Sequence, residues 1–258
     1  MNASDGLLAR VVGPWSKEKL QVVGRYMGIF ATSMKGKWEG LTYVDLFAGP
    51  GLCVVDDSWE EIHGSPLLAL ETRTPFDVVV CVEEDDEARA ALSARVRRHP
   101  RGNSVEVLPG DCNAVVTDVI AKMPPRFLSL VFIDPEGVAD LDPTTLKSLG
   151  DQRHVDLIIL FAQNMAINRN KWRWLSQEDT PLDKLTPEWR TARTPEVVQF
   201  MDQLHGMGFT FVESARRAFR NRRGARLYYL VFASRSSVAA EFWRKISGDE
   251  QMPLFNQF

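Results

Sequence analysis

The sequence predicts an α/β protein with a doubly wound, mostly parallel sheet that is covered by helices on both faces. Strand-like and helix-like patterns alternate along the chain, which is typical of repeated βαβ units. Residues 43–51 (Tyr-Val-Asp-Leu-Phe-Ala-Gly-Pro-Gly) indicate a buried strand that runs directly into a glycine turn. The last two strand patterns are joined without a helix, so the last strand must be antiparallel. We therefore expect six parallel strands and one antiparallel strand.

The individual elements follow from apolar spacing and from turn residues. Residues 15–35 predict a first helix with Ser16 as its N-cap. A long loop is expected at 49–63, after which Ser65 would cap a helix that has Pro66 in its first position. Further helices are expected at 85–98, after Asp142, from 195 to about 204, and around Trp243. Strands are expected at 41–47, 77–82, 104–108, 127–133, 155–161, 209–212 and 227–233.

One segment does not fit this regular pattern. Residues 162–194 have no clear period and are rich in polar and aromatic side chains. A loop of this length inside a compact domain is usually functional, so we expect a lid or a substrate-binding segment. We predict a single domain over residues 1–258, with a helical N-terminal segment at 1–38 and residues 162–194 as an insertion.

Composition and charge narrow the class of protein. The 258 residues are 45% hydrophobic and 25% charged, which is ordinary for a globular protein. We expect a cytoplasmic protein without a membrane span, because the chain has no signal-like start and no long apolar run. The three cysteines Cys53, Cys81 and Cys112 lack metal-ligand spacing, so no metal site is expected. The net charge of −3 combines −8 over residues 1–161 with +5 over residues 162–226.

The glycine turn after the first strand indicates the ligand. Asp45, Gly49 and Gly51 form the pattern D-x-x-x-G-x-G, and Val54 stands where a dinucleotide fingerprint has its third glycine. A dehydrogenase is therefore disfavoured. An acidic residue at the strand end suits a ligand that carries an ammonium and a sulfonium group. The predicted cofactor is S-adenosylmethionine.

Polar residues at the following strand ends extend this cofactor site. Ligands of open α/β sheets bind outside the carboxyl ends of the strands. There, Glu83 is expected to accept from the ribose hydroxyls and Asp111 from the adenine amino group. Each has a plainer interpretation, Glu83 as a first-turn helix carboxylate and Asp111 as a turn or cap residue. The predicted cofactor-binding residues are Asp45, Phe47, Gly49, Gly51, Glu83, Asp111, Cys112 and Asp134.

The end of the fourth strand predicts the catalytic residues. The Asp134 carboxylate and the Pro135 carbonyl are expected to accept hydrogen bonds from an acceptor amine, and Glu136 is the candidate base. The plainer interpretation is a turn that stops a helix. The predicted reaction is transfer of a methyl group to a nitrogen or oxygen atom, for which the protein supplies binding, orientation and removal of one proton.

Two basic segments bear on the methyl acceptor. Residues 216–226 contain six arginines in eleven positions, and residues 171–174 read Lys-Trp-Arg-Trp. Arginines with tryptophans suit a phosphate-bearing substrate whose bases stack. The alternatives are a solvated hairpin and tryptophans that belong to a core. The predicted substrate-binding residues are Pro135, Lys171, Trp172, Arg173, Trp174, Arg220, Arg222 and Arg223.

Five motifs in combination resemble one family. They are residues 43–51, Gly64-Ser-Pro-Leu-Leu-Ala-Leu, Phe132-Ile-Asp-Pro, Leu227-Tyr-Tyr-Leu-Val-Phe-Ala-Ser and Glu241-Phe-Trp. Over about residues 15–248 the chain resembles the three-Cys-motif partner (TcmP) family, which is similar to class I S-adenosylmethionine-dependent methyltransferases. The resemblance implies a Rossmann-like methyltransferase sheet and a separate partner protein bearing three cysteines. It also implies cofactor-pocket roles for Asp45, Gly49, Gly51, Glu83, Asp111 and Asp134.

The resemblance is incomplete at the fourth-strand motif. Such families tend to read Asp-Pro-Phe-Gly, whereas this chain has Glu136 in the aromatic position. Three functions therefore stay open: a methyltransferase acting on a nucleic acid or nucleotide-like substrate, a small-molecule methyltransferase with an anionic substrate, and a non-catalytic cofactor-binding subunit.

Overall fold

The computed structural model describes residues 1–216, 218–221 and 223–248. Within this part of the chain the main sheet has five neighbouring parallel strands, followed by an antiparallel strand that pairs with the fifth. Along the sheet these strands are β6 (Val105–Pro109), β5 (Val78–Glu83), β2 (Leu41–Asp45), β7 (Leu128–Ile133), β8 (Val155–Phe161) and β11 (Arg226–Ser234).

Two further strands complete the edge of this sheet. β9 (Phe211–Ser214) and β10 (Phe219–Arg220) pair antiparallel with different parts of β11. β9 and the two-residue β10 therefore both run in the same direction as the five parallel strands. The predicted six parallel strands and one antiparallel strand are confirmed, and β10 is an additional strand that was not predicted.

Helices cover both faces of the sheet, as predicted. Successive strand residues point to opposite faces, so Tyr43 packs into one hydrophobic core and Val44 into the other. The first core is closed by α1 (Pro14–Met34), α2 (Ser65–Glu71), α3 (Asp86–Arg98) and α9 (Ser237–Gly248). The second is closed by α4 (Cys112–Ala121), α5 (Pro143–Gly150), α6 (Asn168–Trp174), α7 (Pro181–Leu185) and α8 (Glu196–Gly206).

The predicted loop at 49–63 is wrong, because this stretch contains two strands. β3 (Leu52–Val55) pairs in parallel with β1 (Arg10–Val12) and antiparallel with β4 (Glu61–His63), which makes a small second sheet. The helical N-terminal segment thus begins with a strand. Because β1 and β3 are short and far apart in the chain, no local pattern of apolar residues predicts their pairing.

Both predicted serine N-caps are also wrong. α1 is capped at Gly13 and α2 at Gly64, neither with a side-chain hydrogen bond, and Ser65 is already helical. A proline in the first turn fixes the helical backbone angle in each helix, so the extended glycine before it suffices as the start. Two strand positions also differ, since β2 ends at Asp45 rather than 47 and β9 lies two residues later than predicted.

The segment 162–194 is more ordered than its sequence indicates. A π-helical turn (Gln163–Ile167) leads into α6, and α7 follows. Its apolar side chains join the second core, including Ile167, Trp174, Leu182, Leu185 and Trp189. The role of this segment as a lid stays a prediction. Among the described residues, no helix combines the length and hydropathy that crossing a bilayer requires.

A buried carboxylate on β8 predicts a pH-dependent stability. Burial raises the pKa of Asp156 from 3.8 to about 7, although hydrogen bonds from Ser234 and Tyr26 oppose the shift. The folded protein therefore retains a proton that the unfolded chain releases, so the free energy of unfolding falls as pH rises from about 4 to 7. Asp156→Asn should reduce this fall and stabilise the protein above pH 7, as measured by urea unfolding.

Asp151→Asn is the matched control for this experiment, because the Asp151 side chain is 61% exposed and pairs with Lys147 at the surface. It should keep the wild-type dependence on pH. A wild-type dependence in Asp156→Asn as well would contradict the assignment.

Candidate functional site

A cleft of about 220 Å³ opens at the carboxyl ends of β2 and β7. It is lined by the glycine turn after β2 and by the segment after β7. The end of the N-terminal segment, defined as residues 1–13, and the start of α1 also line it. The residues that line it include Arg10, Trp15, Lys19, Phe47, Gly49, Gly51, Asp134, Pro135, Glu136, Met165 and Tyr228.

The glycine turn requires its glycines. Gly49 and Gly51 have φ angles of 61° and 84°, in the left-handed region that favours glycine. A Cβ on Gly51 would lie 2.9 Å from Leu92 Cδ1, so α3 packs directly against the turn. The Gly51 carbonyl accepts from the Gly64 N–H at 2.9 Å, which connects the turn to the start of α2.

Glu83 at the end of β5 anchors the same turn. Its Oε2 accepts from the Gly49 N–H at 2.6 Å, and its Oε1 accepts from the Asp85 N–H at 2.9 Å. The carboxylate is therefore held beside the glycine turn, although Glu83 is not among the residues that line the cleft. Each oxygen keeps a further lone pair for a ligand hydroxyl.

Asp45 lies below the cleft and is fully buried. It accepts from the Tyr43 hydroxyl at 3.0 Å and from the Phe47 N–H at 3.3 Å. Burial raises the pKa of Asp45 to about 7, opposed by hydrogen bonds from Ser65 and Tyr43. Asp45 thus supports the turn from beneath, while Phe47 reaches the cleft itself.

Asp111 and Cys112 lie further along the same edge, after β6, and are not among the residues that line the cleft. Asp111 is the N-cap of α4 and accepts from the Asn113 N–H at 2.9 Å. Cys112 is buried, which raises its pKa to about 12, so its thiol stays neutral. The contacts of Asp111 within the chain are thus those of a helix cap, as the plainer interpretation had it.

The segment after β7 brings the three predicted catalytic and acceptor residues into the cleft. Asp134, Pro135 and Glu136 all line it. Asp134 forms an ion pair with Lys19, and Glu136 forms one with Arg10. The side chain of Glu136 is 73% exposed, whereas that of Asp134 is 20% exposed. Both carboxylates are therefore held by cations from the N-terminal segment and α1.

The basic and aromatic residues are distributed differently from the prediction. Trp172 is 73% exposed, whereas Trp174 is 7% exposed and packs in the second core. Lys171 pairs with Glu196 and lies 5.8 Å from the centre of the Trp189 ring. The remaining predicted substrate residues are exposed (Arg173, Arg220 and Arg223) or lie outside the described residues (Arg222). Among the described members of the predicted set, Pro135 is the one that lines the cleft.

Several cleft residues escaped the sequence analysis, above all Arg10, Lys19, Trp15, Met165 and Tyr228. Lys19 could have been identified from the sequence, because it lies on the apolar face of α1 together with Leu20 and Val23. A lysine within such a stripe is unusual, since charged residues are rarely buried unless they are paired.

Comparison with known proteins supports the fold. A scan against protein-family models and a comparison with curated proteins give no match. The protein LPL1258 from Legionella pneumophila str. Philadelphia 1, described with the family model DUF519, is similar with a TM-score of 0.53 at 10% identity. That likeness covers 88% of this chain and 90% of the other. The METTL16 MTase domain has a TM-score of 0.50 at 9% identity, over 87% of this chain and 69% of that one.

These likenesses, with the strand order, define a Rossmann-like methyltransferase fold. The sheet has its antiparallel strand in the position that the sequence predicted. The cleft at β2 and β7 is the place where such open sheets bind ligands.

The packing of Gly51 predicts a loss of stability on substitution. Gly51→Ala should lower the free energy of unfolding by about 1–3 kcal/mol, because alanine is strained at a φ of 84° and its Cβ would press on Leu92. Urea denaturation measures the change.

Gly28→Ala provides the control for this substitution. A Cβ on Gly28 would meet no atom within 4 Å, and Gly28 lies within α1. It should be neutral or stabilising by roughly 0.5–1 kcal/mol. If Gly51→Ala is as stable as the wild type, the turn is not constrained as described.

Proposed function

We propose that this protein is an S-adenosylmethionine-dependent methyltransferase that acts on a nitrogen or oxygen atom. The observation that carries the proposal is the cleft in which the Glu83-anchored glycine turn faces Asp134 and Glu136. On one side of the cleft, the glycine turn supplies backbone groups for a nucleoside, and Glu83 anchors this turn. The other side supplies the carboxylates needed near a methyl acceptor.

The polar groups of the cleft suit this cofactor. It contains both carboxylates and cations, since Asp134 and Glu136 face Lys19 and Arg10. S-adenosylmethionine likewise carries both signs of charge and, when bound, would supply an electrophilic methyl group. A cleft of about 220 Å³ is smaller than the roughly 300–1,000 Å³ of typical ligand sites. We therefore expect the Arg10–Glu136 pair to open when the cofactor enters.

The chain's own residues then have distinct tasks. Glu83 accepts from the ribose hydroxyls, and the glycine turn lets the backbone approach the ligand closely. Asp134 and the Pro135 carbonyl orient the acceptor by accepting its hydrogen bonds. Glu136 removes the proton that the acceptor loses as its new bond to carbon forms, once Arg10 has released the carboxylate.

A nucleic acid or nucleotide-like acceptor is the substrate class that we favour. Each of the two basic segments, 171–174 and 216–226, lies close to a residue that lines the cleft. Tyr228 on β11 pairs with Phe219 of the arginine hairpin at 216–226, and Met165 lies in the π-helical turn that leads into α6. Exposed Arg220, Arg223 and Trp172 would then bind phosphates and stack a base at the rim.

A small-molecule methyltransferase with an anionic substrate is the second candidate. It is favoured by the small volume of the cleft, about 220 Å³, and by the absence of Arg220 and Arg223 from the residues that line it. The TcmP resemblance adds a proposed partner, a separate protein with three cysteines, and is supported by the five sequence motifs. A non-catalytic cofactor-binding subunit would bind the cofactor without transferring its methyl group.

The cofactor assignment predicts a loss of affinity in Glu83→Ala. The variant should bind S-adenosylmethionine at least about tenfold more weakly, or ~1.4 kcal/mol, because Gly49 loses its anchor and the ribose its acceptor. Titration calorimetry measures the affinity, and Glu84→Ala, which changes an exposed neighbouring carboxylate, should bind like the wild type. Unchanged affinity in Glu83→Ala, or a preference for NADH, would exclude the assignment.

The acceptor class is tested by salt dependence and by methyl transfer. Replacing Arg220 and Arg223 by alanine should flatten the log–log salt dependence of RNA or DNA affinity by about 1.4–1.8 units, since two phosphate contacts are lost. Labelled methyl groups should then appear in a nucleic-acid fraction rather than among metabolites.

The matched control replaces Arg126 and Arg153, which precede β7 and β8 and therefore lie at the opposite edge of the sheet. This double variant should keep the wild-type slope. Transfer to a metabolite fraction without nucleic-acid binding would favour the second candidate, and cofactor binding without any transfer would favour the non-catalytic subunit.

A further inference from the structure

A buried lysine at the cleft needs an explanation beyond the fold. Lys19 is 8% exposed, on the face of α1 that packs inward, and it lines the cleft. Burial of an ammonium group is costly unless the charge is paired and hydrogen-bonded. A neutral apolar residue at this position of α1 would pack without that cost, which indicates a ligand that requires the charge.

The surroundings of Lys19 hold its ammonium group toward the cleft. Asp134 accepts from it, and the Tyr228 ring centre lies 6.0 Å from Nζ. An ammonium group has three N–H donors and no acceptor. Asp134 therefore orients Lys19 while further donor capacity remains for an anionic group of a ligand.

The order of the strands decides which end of the cofactor lies here. Along the carboxyl edge of the sheet, Glu83 follows β5, the glycine turn follows β2, and Asp134 follows β7. If the ribose binds at Glu83, as proposed above, the other end of the cofactor points toward β7. That end is an α-amino acid, which carries a carboxylate.

We infer that Lys19 binds the carboxylate of the methionine moiety of S-adenosylmethionine. Among the described residues, Arg10 is the other cation that lines the cleft, but its side chain is 41% exposed and its partner Glu136 is 73% exposed. Water screens such a pair, whereas the Lys19 side chain is 10% exposed. This inference rests on the proposed cofactor and extends it to a residue of α1 that the sequence motifs do not include.

The experiment compares two ligands that differ by the carboxylate alone. Decarboxylated S-adenosylmethionine keeps the nucleoside, the sulfonium and the amine. Lys19→Met should weaken S-adenosylmethionine at least about tenfold, since a charge-assisted hydrogen bond is lost. It should change the affinity for the decarboxylated ligand by less than about twofold, since that ligand lacks the group that Lys19 binds.

Two further variants make the result specific. Lys19→Arg keeps a cation and should recover most of the affinity for S-adenosylmethionine. Lys17→Met removes a neighbouring lysine of the same helix that pairs with Glu60 at the surface, and it should bind both ligands like the wild type. Thermal unfolding of each variant identifies the fraction that is folded and competent to bind.

The outcomes separate the inference from the proposed function. Equal weakening of both ligands in Lys19→Met, or no weakening of either, would overturn the role of Lys19 and leave the cofactor assignment intact. A wild-type protein that binds neither ligand would instead overturn the cofactor assignment itself.

Discussion

The guanidinium group of Arg95 connects three parts of the chain that would otherwise be independent. It pairs with both carboxylate oxygens of Asp5 at 2.8 Å, and it donates to the carbonyls of Leu8 at 2.7 Å and Pro50 at 2.6 Å. Arg95 is 6% exposed, and an unpaired charge at a buried position would be costly. The N-terminal segment and the glycine turn are thus fastened to α3 and to each other.

This connection explains why residues of the N-terminal segment line the cleft. With residues 1–13 held over the glycine turn, β1 can pair with β3, and Arg10 and Lys19 face the end of β7. The carboxylates of Asp134 and Glu136, which follow β7, are then paired with cations from the first twenty residues of the chain. Charge balance in the cleft is therefore a property of the assembled fold rather than of any single motif.

The sequence predicts the main sheet well because both faces of each central strand are buried. The run at 155–161 is apolar apart from Asp156, and its predicted bounds match β8. Gly49 and Gly51 predicted the turn, because other residues rarely adopt its backbone angles. The pairing of β1 with β3 was not predictable, since short strands far apart in the chain leave no local period.

The functional residues likewise divide into those that the sequence predicts and those that it does not. Glu83 and Asp134 follow recognisable strands, so their positions could be predicted from the rule that ligands bind at strand ends. Lys19 reaches the cleft because α1 packs across the first core, and that packing also involves α9, whose Trp243 ring lies 5.7 Å from Tyr26. Lys19 and Tyr26 lie on the same helix, so the position of this helix affects both the cleft and a distant aromatic cluster. Natural variants that differ at Trp243 alone should therefore differ in ligand affinity while every residue of the cleft stays the same.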